Sequence, residues 1–328
     1  LNSVLKLAKL IGRKLFSAGL YYSGLAERLA DRSIFPQILM YHRVVDPSTL
    51  PFPIEPGMYV RPQTFAQQMA ILAKNYSVIP LDKLISDVLA GTPLPAKSVA
   101  LTFDDGWLDT YQNAYPILKR LALPATVFLP TAYIGSNRRF SYDKLSALLF
   151  SKKDNAAEEL SRKISQLKSL SREAREQELS RLLQAPEPAL GHAAAEVPTK
   201  TRDFINWDEV REMANNGISF ASHSHEHQLF SELSEEEILA DLTSSLDSFQ
   251  LQQITPSPIF CFPNGQYSER ARSSLLQLGF KAAVITTRAG DLTPPLALFG
   301  RVGIHEDMTS SHYMFITTLL GLQLRKGR

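Results

Sequence analysis

The 328-residue chain contains one cysteine, Cys261, so it cannot close an internal disulfide and is not a small scaffold stapled by such bonds. A lone thiol leans toward a reducing compartment. There is no run of about 18 or more apolar residues, hence no candidate transmembrane helix, and no apolar stretch followed by a small-residue cleavage site near the start. A strong charge of either sign is also missing: 35 Lys and Arg against 33 Asp and Glu leave a formal +2. That balance implies neither a nucleic-acid groove nor an acidic partner. The expected location is cytoplasmic or peripheral to the inner membrane, while Leu1 in the place of Met leaves export open. No internal repeat is visible, and nothing in the pattern specifies an oligomer.

What is present is enough apolar material, 44% of residues, to bury the core of one α/β barrel with decorations. In residues 1–36, Val4, Leu7, Ile11 and Leu15 recur at helical spacing among Lys6, Lys9, Arg13 and Lys14. This is a basic amphipathic helical segment, read first as a helix packed on the domain and alternatively as a peripheral membrane contact. From Gln37 strands alternate with helices. Seven apolar stretches are strand candidates, beginning near Gln37, Ser98, Ala125, Ile218, Pro258, Lys281 and Arg301. They predict an α/β fold, a distorted (β/α) barrel of about seven strands, occupying residues 37–142 and 204–310. Residues 143–203 break the rhythm. They are helix-favouring and densely charged up to Leu183, then rich in Pro, Ala and Gly between Pro186 and Pro198, which reads as a helical insertion followed by a mobile linker. The charge run is read as a solvated face in preference to a substrate-binding lid. Residues 311–328 form a C-terminal helix or tail.

Each chemical signal follows a strand, where α/β barrels build their sites. Thr102-Phe103-Asp104-Asp105-Gly106 places two adjacent carboxylates at a strand exit, with a glycine turn that can bring both to one cavity. Two such charges repel unless a cation or a proton separates them, and a metal held by one with a proton accepted by the other resolves the conflict. Ser222-His223-Ser224-His225-Glu226-His227 follows a second strand and carries three of the seven histidines. His223 and His227 have the i, i+4 spacing that sets two imidazoles on one side of a helical turn, whereas His225 is the odd one out. Two nitrogens and one carboxylate would hold a single divalent metal with open positions, Zn²⁺ preferred over Co²⁺, Ni²⁺ or Mn²⁺. Pro263-Asn264-Gly265 closes a third strand in a turn whose backbone N–H at Asn264 can serve an oxyanion.

In this order the three motifs resemble the polysaccharide deacetylase family, carbohydrate esterases with a NodB-homology domain, over roughly Ile38 to Asp307. The resemblance implies an N-deacetylase of amino sugars in a bacterial polysaccharide or glycan precursor, with Asp104 as catalytic base and Asp105, His223 and His227 as metal ligands. It also implies a cell-envelope role. Cys261 stands where the family's commonest third motif has an arginine that orients the base. A sub-branch that includes bacterial poly-N-acetylglucosamine deacetylases also lacks this arginine and starts with a strand matching Met40-Tyr41-His42-Arg43-Val44. That likeness points to His42 as the general acid, with His305 as competitor, and to Arg301 as the group holding Asp104. Trp107 and Tyr111 could stack on a sugar, although core packing is the preferred use of both; Phe140, Tyr142 and Trp207 are candidates for a groove. A non-sugar amide, an O-acetyl ester and a lapsed polysaccharide-binding assembly factor are the alternative readings.

Overall fold

Ser98–Phe103 and Ala125–Leu129 are buried at every position, as a parallel strand covered on both faces must be. The computed structural model describes residues 2–25, 28, 36–52, 54–55, 57–150, 156–183 and 202–321, without the side chains of residues 2–10, 148–150 and 156–158. The expected linker between Pro186 and Pro198 and the last seven residues lie outside the described ones.

The strands that position the site are β1 (Gln37–Tyr41), β2 (Ser98–Phe103), β3 (Ala125–Leu129), β4 (Ile218–Ser222), β5 (Ile259–Cys261), β6 (Ala282–Val284), β7 (Ala297–Phe299) and β8 (Val302–Gly303). All their ladders are parallel. One sheet runs β8-β1-β2-β3-β4, with Ser77–Val78 also paired to β2; the other runs β7-β6-β5. The two sheets meet at two seams. At one, Ala221 bridges Ser257 just before β5; at the other, the chain itself passes from β7 on β6 to β8 on β1, interrupted only at Gly300 and Arg301. The result is a ring of seven strand positions with two weak joins, the irregular barrel expected from the sequence.

Strand parity decides what enters the ring. Ile38, Ala100, Phe128, Ala221, Ile259, Ala282 and Ala297 share one buried cluster fed by every strand position. Their alternation continues along each strand, so the next inward positions at the C-terminal rim are His42, Asp104, His223 and Arg301. Small alanines keep the ring narrow, and those rim side chains are therefore crowded together.

Helices cover the outside. Between β3 and β4 lie α1 (Ser141–Phe150), α2 (Ala156–Lys168) and α3 (Arg172–Leu183). Leu160 and Ile164 of α2 pack with Tyr142 of α1, and Arg172 and Arg175 of α3 pair with Glu237 and Glu232 on the barrel side. The N-terminal helix Asn2–Tyr22 lies against the helix His312–Leu319 through Ser17 and Thr317, and Arg13 reaches Met308. Ile11, Leu15 and Tyr22 of that helix are exposed. No described helix is long and apolar enough to cross a membrane.

Candidate active site

Asp104 and Asp105 leave β2 in different backbone conformations. Asp105 is left-handed at φ 73° and Gly106 follows at φ 64°, so the strand alternation is broken at the point where two successive carboxylates must turn to one cavity. A Cβ on Gly106 would also come within 2.7 Å of Leu129 Cδ2. Of seven non-glycine residues with positive φ among those described, Asp105, Ser224, His227 and Asn264 all belong to the site loops. Backbone strain is thus concentrated where function is expected.

Asp105 Oδ1 lies 3.4 Å from His223 Nε2 and 3.3 Å from His227 Nε2. The three donor atoms lie within 4.8 Å of one another, and one ion about 2.0–2.2 Å from each would span those gaps. His223 Nδ1 is 2.8 Å from the Cys261 carbonyl oxygen. A carbonyl only accepts, so Nδ1 carries a proton and Nε2 is the atom turned to Asp105: without a cation it donates to that carboxylate, and to a cation it would offer its lone pair. Trp107 Nε1 donates to Asp105 Oδ2 at 3.0 Å, leaving Oδ1 to the imidazoles. Burial pushes the Asp105 carboxyl up, but hydrogen bonds from His223 and His227 outweigh it and leave the group well below the ordinary value. The residues present therefore fit a divalent cation.

The two imidazoles do not share a helical turn, contrary to the i, i+4 reading. Residues 223–229 form a loop in which Ser224 and His227 are left-handed. Asp241 accepts the N–H groups of His225 and Glu226 at 2.7 and 2.9 Å, and Ser224 Oγ accepts that of His227 at 2.8 Å. These side-chain acceptors replace the carbonyls a helix would have offered. His225 turns away to Thr131 Oγ1 at 2.8 Å.

Arg301 is 1% exposed and grips Asp104 with both terminal nitrogens, at 2.6 and 2.7 Å. It also donates to Thr102 Oγ1 and touches Cys261 Sγ at 3.2 Å; the small thiol leaves room for a guanidinium arriving from the end of β7. Burial raises the Asp104 carboxyl, but Arg301 outweighs this and holds it below the usual range. Asp104, His223 and Cys261 also converge. Arg301 occupies both oxygens of Asp104, however, and burial pushes the Cys261 thiol up, so it is a poor ligand.

His42 Nε2 stands 3.8 Å from Asp104 Oδ2 and lines the cavity over the site. Burial lowers its pKa, with Asp104 and Asp105 pulling the other way. His305 is outside that cavity and holds Asp307 at 2.6 Å. Pro263–Gly265 is a tight turn in which Gly265 N–H donates to Phe262 O and Gln266 N–H to Pro263 O. Asn264, at φ 55°, lines the cavity.

The cavity has a volume of about 340 Å³ and runs from the triad to the helical insertion, where Tyr142, Asp143, Ile164 and Leu179 line it. The insertion therefore walls the site on one face, beyond the solvated face read from its charges. Phe140 also lines the cavity, with its ring 4.5 Å from that of His227. Trp207 and Tyr111 lie elsewhere, Trp207 against Phe249 and Tyr111 on Glu212. Sequence reasoning missed Asp241, Asp109 and Asp143; a lone acid carries no motif, and only Asp241, two turns into the helix after the histidine loop, left a positional hint.

A family model described as "Polysaccharide deacetylase" matches residues 91–283. YxkH of Bacillus subtilis (strain 168), named for the same family, is 23% identical over 279 residues, 84% of this chain and 74% of its own. The poly-beta-1,6-N-acetyl-D-glucosamine N-deacetylase of Staphylococcus aureus is 42% identical over 52 residues, 16% of this chain and 18% of that protein. Among solved structures, the Streptococcus pyogenes deacetylase PplD in complex with acetate matches with a TM-score of 0.57 at 19% identity, covering 88% of this chain and 98% of that one. IcaB from Ammonifex degensii does so with a TM-score of 0.57 at 16% identity and the same coverages. At these identities the structural likeness carries the fold.

Proposed function

The chain belongs to the polysaccharide deacetylase family, and from that premise we propose that it hydrolyses N-acetyl groups on amino sugars of a bacterial polysaccharide or glycan precursor, with one divalent metal. The observation that carries this reading is the pair of adjacent carboxylates in different roles: Asp105 among two imidazoles, Asp104 locked by Arg301 beside it. Asp105, His223 and His227 would hold the ion, Zn²⁺ by preference for its tetrahedral N/O donors. When bound, such an ion polarises an amide carbonyl and lowers the pKa of water.

The chain's own groups do the rest. Asp104, ionised and fixed by the bidentate Arg301, accepts a proton from the water that attacks the acetyl carbon. Asn264 N–H donates to the carbonyl oxygen as negative charge develops on it, with Pro263 and Gly265 holding the turn. His42 delivers a proton to the sugar nitrogen as the C–N bond breaks; burial lowers its pKa, and the nearby Asp104 partly offsets this by favouring the charged form. The products are acetate and a free amine.

Acetate release from N-acetylglucosamine oligomers, compared with an O-acetylated glycan and a non-sugar acetamide, tests the substrate class. Preferential release from the oligomers supports the proposal; release only from the others, or none, removes it. Asp104→Asn should lower turnover about 10²- to 10⁴-fold, the usual contribution of a general base, with metal content unchanged. Undiminished turnover would remove Asp104 from its role.

A further inference from the structure

We propose that Arg43, from the barrel, and Asp143, from the helical insertion, form a hydroxyl-binding subsite that holds the glycan beside the metal-ligand triad. The proposal rests on the deacetylase reading above and assigns the insertion a part in it.

Arg43 directly follows His42 and lines the same cavity. Its Nε donates to Asp109 Oδ2 at 2.8 Å, and Asp109, 5% exposed, is itself fixed by accepting Val44 N–H at 2.7 Å. The guanidinium lies over the ring of Trp107, 4.4 Å from its centroid, and Trp107 in turn orients the Asp105 carboxylate. Nε and one face of the group are thus used for positioning. The terminal nitrogens, in a rigid plane, remain for whatever enters the cavity. A long cation without such restraints would carry no geometric information.

Asp143 lies in the first turn of α1, where the insertion begins, and lines the cavity. The two arginines whose fields reach it are committed elsewhere, Arg43 to Asp109 and Arg139 to Asp203 at 2.7 Å. Burial pushes its carboxyl up to about 7, against the pull of Arg43. A half-buried carboxyl on the cavity wall without a dedicated cation is placed to meet a ligand.

Together the two side chains offer a fixed fork of donors and an acceptor. A phosphate or carboxylate would be drawn to Arg43 but repelled by Asp143, whereas Glu226 and Glu232, which line the same space, are each neutralised by an arginine. A neutral group that both donates and accepts satisfies both residues, and the hydroxyls of a sugar ring are such groups.

The test is steady-state kinetics of the metal-loaded enzyme and its Asp143→Ala, Asp143→Asn and Arg43→Lys variants, on an N-acetylglucosamine tetramer and on 4-nitrophenyl acetate, which has no sugar hydroxyls. Loss of a charge-assisted hydrogen bond predicts a roughly 10- to 100-fold fall in kcat/KM on the tetramer, carried mainly by KM. The fall on the aryl acetate should be several-fold smaller, and Asp143→Asn, which keeps an acceptor, should recover part of the loss. Equal losses on both substrates, or an unchanged KM for the tetramer, would overturn the subsite while the deacetylase reading stood. A wild-type enzyme that cleaves the aryl acetate but not the tetramer would overturn that reading, and the subsite with it.

Discussion

Arg301 and Asp104 are both nearly free of solvent, and each supplies what the other needs to stay charged there. The desolvation of two such ions is repaid only by close geometry, and removing one partner leaves the other stranded. Arg301→Met should therefore cost about 3–5 kcal/mol of stability, and turnover should fall with it. Adding Asp104→Asn to that variant should return much of the stability without returning activity. Urea unfolding of the four proteins in the cycle measures the coupling; additive effects would show that the pair is not a unit. The residues of this centre were legible in the sequence because each ends an apolar strand: Asp104 and Asp105 after β2, His223 after β4, Arg301 after β7. Parity places His42 on the ring side, four positions beyond the inward Ile38, but it does not separate His42 from His305, which lies four positions beyond the inward Arg301 and is turned to Asp307 by a bond visible only in the fold. Asp241, Asp109 and Asp143 were not legible, since their partners are backbone amides and side chains distant in sequence.

In the proposed mechanism the turn Pro263–Gly265 acts through its backbone. Gly265 is at φ 68°, and a Cβ there would come within 2.3 Å of Thr286 Oγ1 and 2.6 Å of its backbone nitrogen. Gly265→Ala should shift the turn away from β6 and move Asn264 N–H off the carbonyl oxygen. The expected result is a fall in kcat of about 10²-fold, within the range for a lost oxyanion donor, with metal content preserved. A variant with normal kcat would remove this turn from the mechanism. The sequence marked the turn but not its necessity, which comes from Thr286 across the ladder. In the same way, the spacing of His223 and His227 suggested a helix, but the chain uses a loop because Asp241 and Ser224 supply acceptors that only the fold brings near. The insertion's charges point to a solvated face, and its cavity face is not legible because Leu160 and Ile164 find their partner, Tyr142, on another helix.

At the scale of the whole molecule, the site sets the pH dependence of stability from both sides. Asp104 and Asp105 are held below the ordinary carboxylate value. Their contribution is fully present above the unfolded value of about 3.9 and is lost as pH falls below it. Asp143 has the opposite sign. With its carboxyl pushed up to about 7, the folded state binds the extra proton, so stability declines as pH rises from about 4 to about 7. In the metal-free protein, Asp143→Asn should raise the melting temperature at pH 8 more than at pH 4. An equal change at both would show that the carboxyl is not desolvated.

The central claim is that one divalent ion, gripped by Asp105, His223 and His227, is required for deacetylation. Elemental analysis of the purified chain alongside acetate release, before chelation, after it and after return of Zn²⁺, tests this most directly. The account predicts about one ion per chain, loss of acetate release with the ion and recovery with Zn²⁺, and none of the three in His223→Ala. Acetate released at an undiminished rate by metal-free protein would contradict it.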